Sequence, residues 1–238
     1  MSSAHLAVCF HGFLRTGGSM WLVARALRSA GYSKVLLPTF GYHLAPLEVH
    51  AARAAAGLEA LAAEHPDASV DIVTHSYGGI LARATLACLS RPVVRRVVML
   101  APPNQGAILA EQIRAALPVH RLGWDPLGQL LPGVPARRTS HAAGAQIGVL
   151  TGGNGGTGYS PWLGADNDGK VRVDEAQLDE ALDFLVIPVR HALMPFAGAS
   201  HRQILTFLEH GRFEREQRLL AAPDAPRAVA EPPRRGAG

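Results

Sequence analysis

A chain of 238 residues with 48% hydrophobic and 18% charged residues is long enough for one α/β domain and too apolar to be disordered throughout. Its formal net charge of +4 is spread along the chain, so we interpret the internal doublets Arg95-Arg96 and Arg137-Arg138 as solvated surface and expect no nucleic-acid partner. Cys9 and Cys88 each lie in an apolar run, which excludes a disulfide scaffold and predicts two buried, reduced thiols.

Membrane and export signals are missing from the sequence pattern. No apolar run reaches the length of a membrane span, and the first residues carry neither the charged region nor the apolar core of a secretory signal. We therefore expect no transmembrane segment and a cytoplasmic location, or secretion if a leader has been removed. The sequence does not indicate the oligomeric state.

Apolar runs alternate with helical patterns along the chain. Six runs predict strands: Leu6–Phe10, Val35–Leu37, Val70–Thr74, Val93–Leu100, Ala145–Leu150 and Phe184–Val189. Helical patterns lie between them: one capped by Ser19 and stopped by Gly31, then Pro46–Glu64, Tyr77–Leu89, Val173–Asp183 and Ser200–His210. Continuous apolar strands separated by helices are typical of a parallel sheet covered on both faces. The predicted fold is α/β, with about six mainly parallel strands.

Two segments interrupt this alternation. Residues 107–144 contain a short helical pattern followed by turns rich in Pro and Gly, and we interpret them as a cap or loop insertion that shapes a pocket. Residues 221–238 are rich in Pro, Ala and Arg and are expected to be disordered. Residues 1–220 are then one domain.

The sharpest signal is the run Thr74-His75-Ser76-Tyr77-Gly78-Gly79, between a predicted strand and a predicted helix. A nucleophile elbow needs such a tight turn, with small neighbours and an exposed serine hydroxyl. Thr74 stands where the G-x-S-x-G pattern has glycine. The alternative, a serine that only caps the helix, explains less of this context. Ser76 is the candidate nucleophile.

The loop after the first strand reads His11-Gly12-Phe13. In this arrangement that loop supplies one half of an oxyanion hole, so the predicted donors are the backbone N–H groups of Phe13 and Tyr77. His11 and His75 are then expected to hold the backbones of the loop and of the elbow.

A general base is expected after the nucleophile, in the chain order serine, acid, histidine. His191 follows the last predicted strand, where the chain emerges at the same sheet edge as Ser76. His201 is the alternative. The other histidines in this half of the chain are His210, His120 and His141.

The acid is expected in the turn Asp166-Asn167-Asp168-Gly169. Asp168 could orient the imidazole of His191 and stabilise its protonated form, and Asp166 is the competitor. The D-x-D-G pattern also suggests a calcium loop, but no Glu follows at the EF-hand spacing.

Together these motifs resemble the lipase/esterase branch of the α/β-hydrolases, over residues 6–213. The resemblance rests on the following segments: His11–Thr16, Ser19-Met20, Gly31-Tyr32, Val73–Ser76 with Gly78-Gly79, Ala101–Gly106, Asn167–Val171 and Val189–His191. It implies a triad of Ser76, Asp168 and His191, and a serine hydrolase of carboxylic esters.

The expected reaction is acyl transfer through an acyl-serine, without a metal or organic cofactor. Small-molecule or lipid esters are the expected substrates. Residues proposed to line an apolar acyl pocket for chains of medium length are Phe13, Leu14, Tyr42, Leu44, Ile108 and Leu109. The alternatives are an amidase or acyltransferase that uses the same triad, or a ligand-binding member of the fold without activity.

Overall fold

The structure, a computed structural model, describes residues 4–117, 125, 127–134 and 144–215. The expected disordered tail and the Arg137-Arg138 doublet lie outside these residues. The strands are β1 (His5–Phe10), β2 (Lys34–Leu36), β3 (Ser69–His75), β4 (Val94–Leu100), β5 (Gln146–Gly152) and β6 (Asp183–Ile187). The α-helices of the described ranges are α1 (Trp21–Ser29), α2 (Leu47–Glu64), α3 (Tyr77–Cys88), α4 (Ile108–Ala116) and α5 (Gly198–His210).

The strands form one sheet in the order β2-β1-β3-β4-β5-β6, and every neighbouring pair is parallel. This confirms the predicted fold class. The strand order reverses at β1, which lies between β2 and β3. In open parallel sheets the crevice at such a reversal, beyond the carboxyl ends of the strands, is where ligands bind.

Alternate residues of each strand face two separate apolar layers. On one face Leu6, Val8 and Phe10 of β1 pack with residues of α2 and α3. On the other, Ala7 and Cys9 pack with residues of α1 and α5. The sheet is therefore buried on both sides, which explains its continuous apolar strands. None of the helices in the described ranges is both long enough and apolar enough to cross a membrane.

The predicted elements form with ends that move by one or two residues, apart from two differences. Ser19 does not cap a helix. It lies within a 3-10 turn, Gly17–Met20, that precedes α1, and its hydroxyl donates to the Thr16 carbonyl at 2.8 Å. The chain already turns at Thr16, so the serine side chain closes this turn and is not available to α1.

The second difference is the helix predicted over Val173–Asp183, which is a series of turns. The carbonyls of Glu175 and Ala176 accept hydrogen bonds from the backbone N–H of Gln105 and the side-chain amide of Asn104, at 2.9 and 3.0 Å. Because these carbonyls are engaged by the loop after β4, they cannot serve a continuous helical ladder. The amphipathic pattern remains, but it packs as irregular chain.

The Arg95-Arg96 doublet is not simply solvated surface, as the sequence suggested. Asp71 of β3 is fully buried and accepts hydrogen bonds from both Nε and a terminal nitrogen of Arg95, from the Arg96 N–H and from the Tyr32 hydroxyl. Burial and the Asp71 carboxylate raise the pKa of Tyr32, so its hydroxyl acts as the donor. A buried carboxylate needs such partners.

Both cysteines are free thiols, but only Cys9 is buried. Burial raises the pKa of the Cys9 thiol to about 12, which keeps it protonated and unreactive. The expectation for Cys88 was wrong. It is the last residue of α3 and follows the buried Leu86 by two positions, which turns it roughly to the opposite side of the helix.

We predict that Asp71→Asn lowers the free energy of unfolding by about 2 to 4 kcal/mol. The amide has no negative charge and only one acceptor oxygen, so Arg95 and Tyr32 lose part of their hydrogen bonding. Urea unfolding monitored by circular dichroism measures this. The matched control is Glu64→Gln, which removes an exposed ion pair with Lys34 at 3.4 Å and should cost less than about 1 kcal/mol. Equal effects of the two substitutions would contradict the importance of the buried network.

Candidate active site

Ser76 lies at the junction of β3 and α3 in a strained conformation. Its backbone angles are φ 55° and ψ −126°, in a region that residues with side chains rarely occupy. The Ser76 N–H donates to Leu100 O at 2.8 Å, and its carbonyl accepts from the Gly79 N–H at 2.8 Å. These bonds hold a sharp strand-to-helix turn, the geometry that presents a serine hydroxyl above the sheet edge.

Two glycines allow the neighbouring backbones to approach this turn. A Cβ at Gly78 would lie 2.6 Å from Phe10 O and 2.9 Å from His11 O. A Cβ at Gly12 would lie 3.2 Å from Ser76 Cβ. The loop after β1 is therefore packed directly against the elbow, as neighbouring strands β1 and β3 require.

The same loop turns sharply after Gly12. The Arg15 N–H donates to Gly12 O at 3.2 Å, and the Leu14 N–H donates to Tyr42 O at 3.2 Å, with Leu14 at φ 55°. Within the described part of the chain, no acceptor binds the Phe13 N–H. Tyr77 begins α3 directly after Ser76, so its N–H belongs to the first turn of the helix.

Asp168 and His191 form a buried pair. The distance from His191 Nδ1 to Asp168 Oδ2 is 2.6 Å, and both side chains are almost inaccessible to solvent. The other carboxylate oxygen accepts from the backbone N–H groups of Lys170 and Val171 at 2.9 and 2.8 Å. Because a carboxylate accepts, the neutral form of His191 has its proton on Nδ1 and its acceptor at Nε2.

The rest of the acid turn is held by its neighbours. Asn167 is fully buried, and its amide bonds to the backbones of Thr157, Ser160, Ala165 and Gly169. This residue was part of the sequence motif, but its role in holding together the chain between β5 and Asp168 was not predicted. A fully buried asparagine is recognised only once its partners are placed.

The alternative candidates for the acid and for the base make other contacts or lie outside the described residues. Asp166 accepts from the backbone N–H groups of Asn154 and Gly155 at 2.9 and 3.0 Å. His201 is bonded through Nε2 to Pro195 O at 2.9 Å. His210 is exposed beside Glu209. His120 and His141 lie outside the described residues.

A cavity of about 660 Å³ opens at this edge of the sheet. Ser76 and His191 both line it, together with Phe13, Leu14, Leu44 and Leu109 of the predicted acyl pocket. Tyr42 and Ile108 do not line it. Tyr42 contributes its carbonyl to Leu14, and the Ile108 N–H donates to Glu175 Oε1 at 2.6 Å. Further apolar lining comes from the insertion: Ala107, Ala110, Ile113, Leu117, Leu127 and Leu130.

Buried histidines join the loops around the cavity. His75 donates from Nε2 to the His191 carbonyl at 3.1 Å, which ties the elbow to the histidine loop. Burial, followed by the neighbouring His191, lowers the pKa of His75 well below its usual value. His11 accepts from the Phe40 N–H at 3.1 Å and donates to Gly12 O at 2.9 Å. His43, whose pKa burial lowers to about 3, donates to His11 O at 3.0 Å.

Gln129, a residue of the insertion that the sequence analysis did not single out, contacts the elbow helix. Its Oε1 accepts from the Tyr77 hydroxyl at 3.0 Å and from the Leu47 N–H at 2.7 Å. The insertion is thus attached to α2 and α3 at the side of the cavity. In the described ranges no three His, Cys, Asp or Glu side chains are placed to share a metal ion.

Comparisons with known proteins place this arrangement among related folds. The profile of the alpha/beta hydrolase family matches residues 7–236. No curated protein matches the chain. The mature form of lipase BlEst2 from Bacillus licheniformis superposes with a TM-score of 0.70 at 20% identity, covering 88% of this chain and 92% of that one.

Two further structures have the same fold at equally low identity. The metagenomic carboxyl esterase MGS0156 has a TM-score of 0.63 at 20% identity, covering 82% of this chain and 66% of that one. Phospholipase PlaB from Legionella pneumophila, in complex with thio-NAD, has a TM-score of 0.56 at 20% identity, covering 73% and 44%. The chain therefore spans less than half of the phospholipase chain.

We predict that Gly78→Ala destabilises the protein by about 2 kcal/mol or more, because its Cβ would press on the carbonyls at the end of β1. The matched control is Gly57→Ala in α2, where a Cβ meets nothing within 4 Å and should stabilise by roughly 0.5 to 1 kcal/mol. Urea midpoints of the two variants measure the difference. A neutral Gly78→Ala would contradict close packing at the elbow.

Proposed function

The chain belongs to the alpha/beta hydrolase family, and from this we propose that it is a serine hydrolase of carboxylic esters with Ser76, His191 and Asp168 as its triad. The observation that carries the proposal is the shared cavity, which Ser76 lines in its strained turn and His191 lines while bonded to the buried Asp168. The lipase and esterase among the similar structures support the same class of reaction.

In the proposed reaction, Ser76 Oγ attacks the ester carbonyl while His191 Nε2 takes the serine proton. The carbonyl π electrons move to the oxygen, and the resulting tetrahedral intermediate collapses when the alcohol leaves with the proton from His191. Water then attacks the acyl-serine, again with His191 as the base. The acid is released and the serine regains its proton.

Asp168 would act on the histidine and not on the substrate. Its Oδ2 fixes the Nδ1–H tautomer of His191, and its negative charge stabilises the imidazolium that forms during attack. Two backbone N–H groups fix the other oxygen, which prevents the carboxylate from rotating away. Asp168 lies in the loop after β5, and His191 lies in the first turn after β6.

Phe13 and Tyr77 are the proposed oxyanion donors. The backbone N–H of Phe13 lies in the loop packed against Ser76, and that of Tyr77 opens α3. Charge develops on the carbonyl oxygen only during attack, so fixed donors at this place favour the transition state over the substrate. The positive end of the α3 dipole adds to this effect.

The apolar wall of the cavity suits an acyl chain of medium length. Leu109 and Ile113 of α4 and Leu130 of the insertion form part of it. Burying such a chain contributes roughly 0.8 kcal/mol for each methylene removed from water. Affinity should therefore increase with acyl length until the chain extends beyond the wall.

We predict that wild-type protein hydrolyses p-nitrophenyl esters with an optimum at medium acyl length and that Ser76→Ala lowers kcat by at least about four orders of magnitude. A fluorophosphonate should label the wild type but not Ser76→Ala. Ser33→Ala serves as the control, since the Ser33 hydroxyl donates to His5 O at the start of β1, the end of the strand opposite the cavity. Absence of both hydrolysis and labelling in the wild type would contradict the proposal.

Asp168→Asn should lower kcat by roughly 10³- to 10⁴-fold, because the amide favours the wrong histidine tautomer. Asp166→Asn is the matched control, two residues away in the same turn, and should change kcat by less than about threefold, since its carboxylate only binds loop N–H groups. Steady-state kinetics on one ester distinguish the two. A larger loss in Asp166→Asn would assign the acid to that residue instead.

A further inference from the structure

Two cations line the cavity beside the proposed nucleophile. Arg15 belongs to the tight turn after Gly12, and Lys170 to the turn after Asp168. Both residues line the same cavity as Ser76 and His191. Hydrogen bonds fix both backbones at the loops that carry the proposed reacting groups, so both side chains start from fixed positions beside the cavity.

The structure provides no counter-charge for either cation. Among the described residues, neither Arg15 nor Lys170 forms an ion pair, although the partly buried cations Lys34 and Arg172 do. No Asp or Glu in the described ranges lines the cavity. Both charges also act on the elbow, since they contribute to the low pKa of His75 after burial and His191.

The rest of the cavity lining is mostly apolar, and much of it comes from the insertion. The side formed by α4 and the insertion is apolar, with Leu109, Ala110 and Ile113 facing the cavity. An acyl chain fits that wall, because placing it over Arg15 and Lys170 would remove water from two unpaired charges. The other half of an ester, the leaving group, then lies on the cationic side.

We propose that the leaving group of the substrate carries an anionic group, a carboxylate or a phosphate, that Arg15 and Lys170 bind. This rests on the proposed function, because it assigns the two halves of an ester to the two sides of the cavity. The guanidinium of Arg15 can bind an oxyanion through two parallel N–H donors, and Lys170 adds a second charge. The substrate class is an acyl ester or thioester with an acidic head.

A matched pair of chromogenic substrates tests the proposal. One is the octanoyl ester of a nitrophenol that carries a carboxylate on its ring, and the other is the methyl ester of that carboxylate, which is neutral and larger by one methyl group. The quantity measured is the ratio of kcat/KM for the carboxylate substrate to kcat/KM for the neutral one. Comparing this ratio between wild type and a variant cancels any effect of the substitution on folding or on the chemical step.

We expect wild-type protein to prefer the carboxylate substrate. Arg15→Gln and Lys170→Gln should each lower the ratio by about fivefold, and the double variant by about 25-fold, as expected for partly exposed charge pairs. High salt should lower the ratio in the wild type but not in the double variant. Arg25→Gln, which removes an exposed charge of α1 away from the cavity, should leave the ratio unchanged.

An unchanged ratio in the double variant, within about twofold, would overturn the proposal and leave ester hydrolysis intact. If the wild type hydrolyses neither substrate in a Ser76-dependent reaction, the proposed function itself is contradicted, and this inference with it. Two further pairs distinguish the source of the anion. The first pair is a monoacylglycerol and its phosphate monoester. The second pair is an acyl-pantetheine and the corresponding acyl-coenzyme A. The pair whose ratio of kcat/KM values changes more when Arg15 and Lys170 are replaced identifies the source of the anion.

Discussion

The close packing of β1, β3 and α3 around Ser76 is the constraint on which the rest of the site depends. The serine adopts a positive φ because the chain must leave β3 and enter α3 within one residue. Gly78 lets the end of β1 approach, and Gly12 brings the next loop against the serine. One turn thus determines where Ser76, the proposed nucleophile, meets the N-terminus of α3 and the loop that contains Phe13.

Hydrogen bonds from buried, neutral histidines hold the loops around this turn. His75 joins the elbow to the backbone of His191, and His43 and His11 brace the loop after β1. Burial lowers the pKa of all three. A neutral imidazole can donate with one nitrogen and accept with the other, so it can join two backbones without placing an unpaired charge inside the protein.

The cavity combines this edge of the sheet with an insertion whose described residues are joined to the rest of the fold by hydrogen bonds from several elements. Gln129 joins the insertion to α2 and α3, and Glu175 accepts from the first N–H of α4. Burial raises the pKa of Glu175, although two backbone N–H groups bind it. In the proposed reaction the family fold supplies the reacting groups, whereas the insertion and the proposed anion-binding pair, Arg15 and Lys170, would select the ester.

The sequence by itself determined the α/β fold class, the six strands and the pattern of the elbow, because burial on both faces and a strand-to-helix turn leave local signatures in apolar runs and small residues. The tertiary structure decided three further points: that Asp168 and not Asp166 binds His191, that Arg95 binds Asp71, and that irregular chain replaces the helix over Val173–Asp183. The physical reason is that each depends on partners distant in sequence, which compete with local preference for the same hydrogen bonds. The exclusion of Tyr42 and Ile108 from the cavity has the same origin, since apolar character indicates burial or contact but not which wall a side chain joins.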